Sequence, residues 1–313
     1  ATLILSAGNR VNQFNPNQPI SNFVNSISSL FFKDNYMKLY NLEFAQITYS
    51  QNIANGINLR GKIEYEQRKP LFNTTDFSLF KKEDFYSSNN PLAPNDFVTP
   101  SFNEHHLMTA TWNAKINFGN KYASRPDGKY NIRNENYPTL FVTYKKAFAA
   151  SDKKYEFDQL STRLNYDLHL DNKGILGINV NAGKFFNATN ISFIDYKHFN
   201  ANQTHVGLSG RYLDVFNLLP YYSKSTNDSY FELHTEYDDK GYIMNKIPLL
   251  NRLKSTMNLG FHTLEVPNSK PYSEFTIGLG NLGFGKFKIF RIDYIRSYQS
   301  GYQGDGVVFG LKL

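Results

Sequence analysis

Glu232, His234 and Glu236 alternate along FELHTEY, which places three metal-binding side-chain types on one face of a β-strand. His262, in NLGFHT, could stand beside them on a neighbouring strand. The spacing argues against a shared ion, because alternate strand residues lie about 7 Å apart and seldom chelate together. The competing reading is a polar face held by ion pairs, with Lys254 as counter-charge, and no metal or other cofactor is expected. His105 and His106 precede the segment holding Trp112, and DYKHF supplies Asp195 and His198. A hydrolase would need a nucleophile, a base and an orienting group within reach of one another. Serines are plentiful, but none sits in a G-x-S-x-G turn. No residue is therefore assigned a catalytic role, and the protein reads as non-enzymatic.

The elements that must carry these side chains are strands, because alternation with period two recurs along the chain. Leu59 and Ile63 oppose Arg60, Lys62 and Glu64, a face that Glu66 and Arg68 extend. Trp112 and Ile116 oppose Asn113 and Lys115, and Leu164 and Leu168 oppose Arg163 and Asp167. Phe275 and Ile277 oppose Glu274, Phe290 and Ile292 oppose Arg291 and Asp293, and Val307, Phe309, Leu311 and Leu313 close the chain. One face is almost purely apolar. The other mixes both charge signs with Asn, Thr, His and Gly, a pattern that suits the lumen of a barrel whose outer face meets lipid. Pairing about the last turns sets Gly310 and Thr276 roughly beside Arg291, with Glu274 diagonal to it. The charged lumen set is Arg60, Lys62, Glu64, Lys115, Arg163, Asp167, Arg211, Glu232, Glu236, Lys254, Glu274, Arg291 and Asp293. The lipid-facing last strand is expected to pair back to the first strand of the barrel.

Bulk properties agree with this class. The chain has 313 residues and a formal net charge of +7, but no Lys/Arg-rich block, so nucleic acid is not an expected partner. Cysteine is absent, which excludes a disulfide framework. No apolar run approaches the length of a membrane helix, whereas barrel strands leave only a weak hydropathy signal. The fold expected is all-β: an antiparallel transmembrane β-barrel of the outer-membrane type with roughly 12–14 strands, or part of a larger one. Residues 1–37 read as an N-terminal strand and long loop with a short helix near 23–32, and residues 38–313 as the barrel.

Long polar or aromatic excursions interrupt the strands at 8–37, 69–103, 120–137, 187–203 and 214–227. Segments of such length usually serve a function or contact a partner. Candidate partner contacts are Leu218, Pro220, Tyr221 and Tyr222 in LLPYYSKST, Ile247, Pro248 and Leu249 in NKIPLL, and Pro91 and Pro94 in NNPLAP. The simpler readings are an aromatic girdle for the first and structured turns for the others. If the last strand ends in the periplasm, strand parity sets several of these excursions there, on the side that outer-membrane barrels keep short.

FVNSISSLFFKDNYMKLY, SSNNPLAPNDF, DYKHFNANQT and above all FNLLPYYSKSTNDSYFELHTEYDDKGYIMNKIPLL, from Phe216 to Leu250, resemble the C-terminal part of a Bacteroidota outer-membrane family. Its members carry an N-terminal carboxypeptidase-regulatory-like domain, then a conserved region of unknown function ending in a barrel. The resemblance covers nearly the whole chain and implies location and architecture. It implies no peptidase activity, since such regulatory-like domains are small sandwiches. It also implies that this chain is a C-terminal portion lacking the regulatory-like domain. The function expected is a scaffold or subunit of an envelope complex for outer-membrane protein assembly, secretion or transport. Its partners would be outer-membrane lipid and other envelope proteins. A channel or transporter for small anionic solutes is the alternative, and a barrel enzyme acting on lipid or peptide the second.

Overall fold

Period-two alternation produces strands through most of the chain. A computed structural model describes residues 1–311 apart from 82, 133, 205, 208–210, 249 and 286. Its strands are β1 (Thr2–Gln13), β2 (Leu39–Ala54), β3 (Ile57–Pro70), β4 (His105–Asn117), β5 (Lys121–Arg125), β6 (Gly128–Ile132), β7 (Thr139–Phe148), β8 (Phe157–His169), β9 (Ile175–Phe186), β10 (Val206–Gly207), β11 (Ser229–Asp238), β12 (Thr256–Glu265), β13 (Tyr272–Phe284), β14 (Phe287–Tyr298) and β15 (Tyr302–Leu311). The short helix falls where the sequence places it: α1 (Asn22–Ile27), capped by the Ser21 hydroxyl, runs into a π-turn at Ser28–Phe32.

Among the described residues, thirteen strands form one sheet, in the order β1-β2-β3-β4-β7-β8-β9-β11-β12-β13-β14-β15-β10; β5 and β6 form a separate hairpin. All pairings among the long strands are antiparallel, and β10 joins β15 in parallel. Among the described residues the sheet is not closed into a barrel. The expected pairing of the last strand to the first is replaced, among the described residues, by Val206 and Gly207 on the far edge of β15. Arg291 does face Gly310, but Thr276 faces Ile295 rather than Arg291, because β13 runs on to Phe284 and the chain reverses only between Phe284 and Phe287.

The two faces differ as the alternation requires. Phe309 is 58% exposed and Val307 43%, while Val308 between them has no accessible surface. Leu311 is half-buried, and Leu313 lies outside the described residues. Outward-facing Leu5, Ile47, Ile63, Trp112, Leu160, Leu259, Ile277 and Ile292 are all exposed. Buried apolar side chains instead gather on the inner side, around Phe157, Phe185, Phe216 and Leu264, and around Phe14, Leu42, Phe102 and Phe193.

Both clusters include residues of 187–228, the connection from β9 to β11. It is one continuous insert rather than two loops. Within 204–213, the interval between the two expected loops, the described pairing is only that of β10. Counting it as an insert also changes the parity. The connections 14–38, 71–104 and 187–228 all emerge at one end of the sheet, opposite the end where β15 stops. The 118–138 and 239–255 connections lie at the end where β15 stops, together with short turns at 55–56 and 170–174.

Candidate functional site

The inner face of a sheet this rich in charge has to neutralise what it buries. Removing a carboxylate from water costs several kcal/mol unless partners replace the solvent. The insert supplies those partners, and strand carboxylates hold it in turn. Glu274 of β13 accepts the backbone N–H groups of Asn217 (2.7 Å) and Leu218 (2.8 Å), and the Tyr272 hydroxyl (2.8 Å). Glu236 of β11 accepts the N–H of Tyr212 at 3.1 Å and both terminal nitrogens of Arg291, at 3.0 and 2.9 Å. Arg291 also pairs with Asp293 at 2.6 Å and lies 4.3 Å from the centre of the Tyr212 ring. Glu232 faces Lys197 of the insert at 3.5 Å. Lys254, the counter-charge expected for this face, instead lies in the 239–255 connection, beyond the opposite end of β11 from Glu232.

On the other side of the insert, Asp195 reaches β3. Arg68 pairs with it bidentately, at 2.5 and 3.1 Å, and with Glu66 at 2.8 Å. Lys145 of β7 approaches the same carboxylate at 3.4 Å. Burial would raise the Asp195 carboxyl, but Arg68 and Lys145 outweigh it and hold the group below the ordinary carboxylate range. His198, three residues on, meets the Ser225 hydroxyl at 2.7 Å. Burial pushes its imidazole down to about 3, so it stays neutral around pH 7.

His234 and His262 sit between these clamps, sealed by the Phe216 ring. Their Nδ1 atoms are 3.0 Å apart, and His234 Nε2 is 2.9 Å from Glu232 Oε1. With both rings neutral, one arrangement satisfies both contacts: His262 Nδ1–H donates to His234 Nδ1, and His234 Nε2–H donates to Glu232. A hydrogen-bonded chain thus occupies the place where the sequence offers metal ligands. Glu236 is taken by Arg291 and Tyr212. Among the described residues no group of three or more His, Cys, Asp or Glu side chains could hold a metal ion.

The remaining candidates are scattered. Glu64 is buried against Lys62 and Arg10. Arg60 and Lys115 lie on the inner face of β3 and β4. Arg211 belongs to the insert and reaches Asp167 of β8 at 2.8 Å; Arg163 faces inward on β8. Tyr221 and Tyr222 turn inward, Tyr222 against Phe14, Phe193 and His198, while Pro220 beside them is exposed. Leu218 packs beside Tyr212, Ile295 and Val308. Ile247, Pro248 and Pro94 are exposed and Pro91 is half-buried, while Leu249 lies outside the described residues.

Pairing by alternation could place the strand charges but not their partners. Lys197, Tyr212, Phe216 and Asn217 belong to a segment without period-two patterning. Its one local signal is apolar and aromatic content too high for a solvated loop.

The architecture defines a class: a large, mainly antiparallel sheet folded about an insert of its own chain. The chain belongs to the family described as "Family of unknown function (DUF5686) C-terminal domain", whose model matches residues 1–279. None of the curated proteins matches it.

Proposed function

We propose that this chain is the membrane-embedded portion of an outer-membrane β-barrel protein of a Bacteroidota envelope. Its role is that of a non-enzymatic scaffold in an assembly, secretion or transport complex. The observation that carries the reading is the inversion of its surfaces. Apolar side chains on the outward face of most long strands are exposed, while Glu232, Glu236, Glu274 and Asp293 are buried inside. Water alone would favour the reverse arrangement, and a lipid acyl environment favours this one. Closure of the sheet, by its own edges or with further strands, would satisfy the backbone groups that β1 and β15 leave at its margins.

A scaffold role is supported by the end of the sheet where the long connections emerge. There the π-turn after α1 packs against the 71–104 connection, with Phe31 and Phe80 in ring contact at 5.7 Å and the Tyr86 hydroxyl within hydrogen-bond distance of the carbonyls of Ser29 and Phe77. Phe23, Phe77, Phe85 and Val98 remain exposed around them. Exposed apolar clusters of this kind commonly mark protein contacts. The test is photo-crosslinking in intact cells from Phe85 and Val98. The reading predicts adducts with one or a few envelope proteins; the absence of any adduct from both positions would contradict the scaffold role.

A further inference from the structure

The insert fills the inner face unevenly. Over β11 to β14 it forms a seal, and His234, His262, Glu274 and Asp293 have no accessible surface. Along β8 the inner face stays solvated, with Arg163 and Asp167 exposed. Two cavities of about 460 and 450 Å³ occupy this solvated side. One extends from Tyr137 and His169, near the end where β15 stops, to Arg163. The other continues from Arg163 to Lys197 and Asn17, near the opposite end. Arg163 and Asp214 border both cavities, so they stand where the two meet.

The two residues approach that junction from different sides, Arg163 from the β8 wall and Asp214 from the insert. Arg163 Nε donates to Asn165 Oδ1 at 3.2 Å. Among the described residues, neither Arg163 nor Asp214 has an ion-pair partner within 4.0 Å. Of the other charges lining the two cavities, Arg211 pairs with Asp167 at 2.8 Å and Lys197 with Glu232 at 3.5 Å, while Glu135 lines the first cavity from the 118–138 connection. The junction thus presents one positive and one negative group, held apart across a polar passage. A guanidinium fork takes a carboxylate in two parallel hydrogen bonds, and a carboxylate takes an ammonium. Opposed charges lining such a polar cavity set up a transverse field that favours a dipolar solute over a neutral one of similar size.

We propose that the solvated side of the inner face is a passage for small zwitterions, free amino acids or short peptides, recognised between Arg163 and Asp214. This rests on the membrane reading, because a passage needs a bilayer to cross.

The test is swelling of liposomes carrying the full chain, with bilayer insertion scored separately by quenching of Trp112 with brominated lipid. Glycylglycine is expected to enter about 2- to 10-fold faster than arabinose. Arg163→Gln and Asp214→Asn should each bring that ratio close to one. Inserted protein that admits neither solute overturns the proposal and leaves the membrane reading standing. An unchanged ratio in both variants does the same. Failure of Trp112 to respond to brominated lipid overturns the membrane reading, and the passage with it.

Discussion

Arg68 shows how a single side chain depends on distant chain. Alternation along β3 places it inward with Glu66, so its direction was legible in the sequence. Its partner Asp195 was not, since it lies 127 positions away on a segment that belongs to no long strand. Both side chains are almost fully buried, at 4% and 1% exposure. Among the described residues, Arg68→Ala would leave the Asp195 and Glu66 carboxylates buried with Lys145 as the one cation within 4.0 Å of either, and the Thr109 hydroxyl on Glu66. The expected cost is about 3–5 kcal/mol, read as a lower urea midpoint in detergent. Replacing Asp195 by Asn in the same background should recover part of it, because one uncompensated charge is removed. A cost below about 1 kcal/mol, the range of exposed pairs, would show that this contact does not hold the insert.

At the scale of elements, strands and insert were unequally legible. Turns at NIANG and DNKG sit where Gly, Asn and Asp cluster, at 55–56 and 170–174, because those residue types suit the backbone angles a reversal needs. GNLGFG has the composition of a turn, yet β13 continues through it to Phe284, with two register shifts that absorb its irregularity. The insert leaves no periodic trace. Its path is set by the strand side chains it meets, Glu232, Glu236 and Glu274 on one side and Arg68 on the other. Glycine on the sheet makes room for it at Gly310, where an added Cβ would stand 2.7 Å from the Tyr212 hydroxyl and 3.1 Å from Arg291 Cβ. Gly310→Val should therefore push Tyr212 off Arg291, at about 1–3 kcal/mol of overpacking. The expected readout is faster tryptic cleavage at Arg211, with the sheet still folded by circular dichroism. Unchanged protection at Arg211 would mean that the insert is not seated against β15.

At the scale of the whole molecule, the alternation that made each strand legible also separates two environments. The charged face turns toward the insert, which touches residues near both margins of the sheet: Asn200 meets Asn15 just after β1, and Tyr212 meets Gly310 in β15. A sheet whose first and last strands approach one short segment must curl around it. Closure itself was the expectation that failed, because it depends on whether two particular edges meet, and period-two patterning carries no information about edges. The apolar outer face makes the membrane claim testable at one residue. Trp112 is the single tryptophan in these 313 residues, lies mid-strand in β4 on that face, and is 51% exposed. The chain should be reconstituted in phospholipid with and without bromine on the acyl chains, with Trp112→Phe as the control that assigns the signal. Strong quenching of Trp112 fluorescence by the brominated lipid is the predicted result; a water-like emission unaffected by bromine would contradict the account.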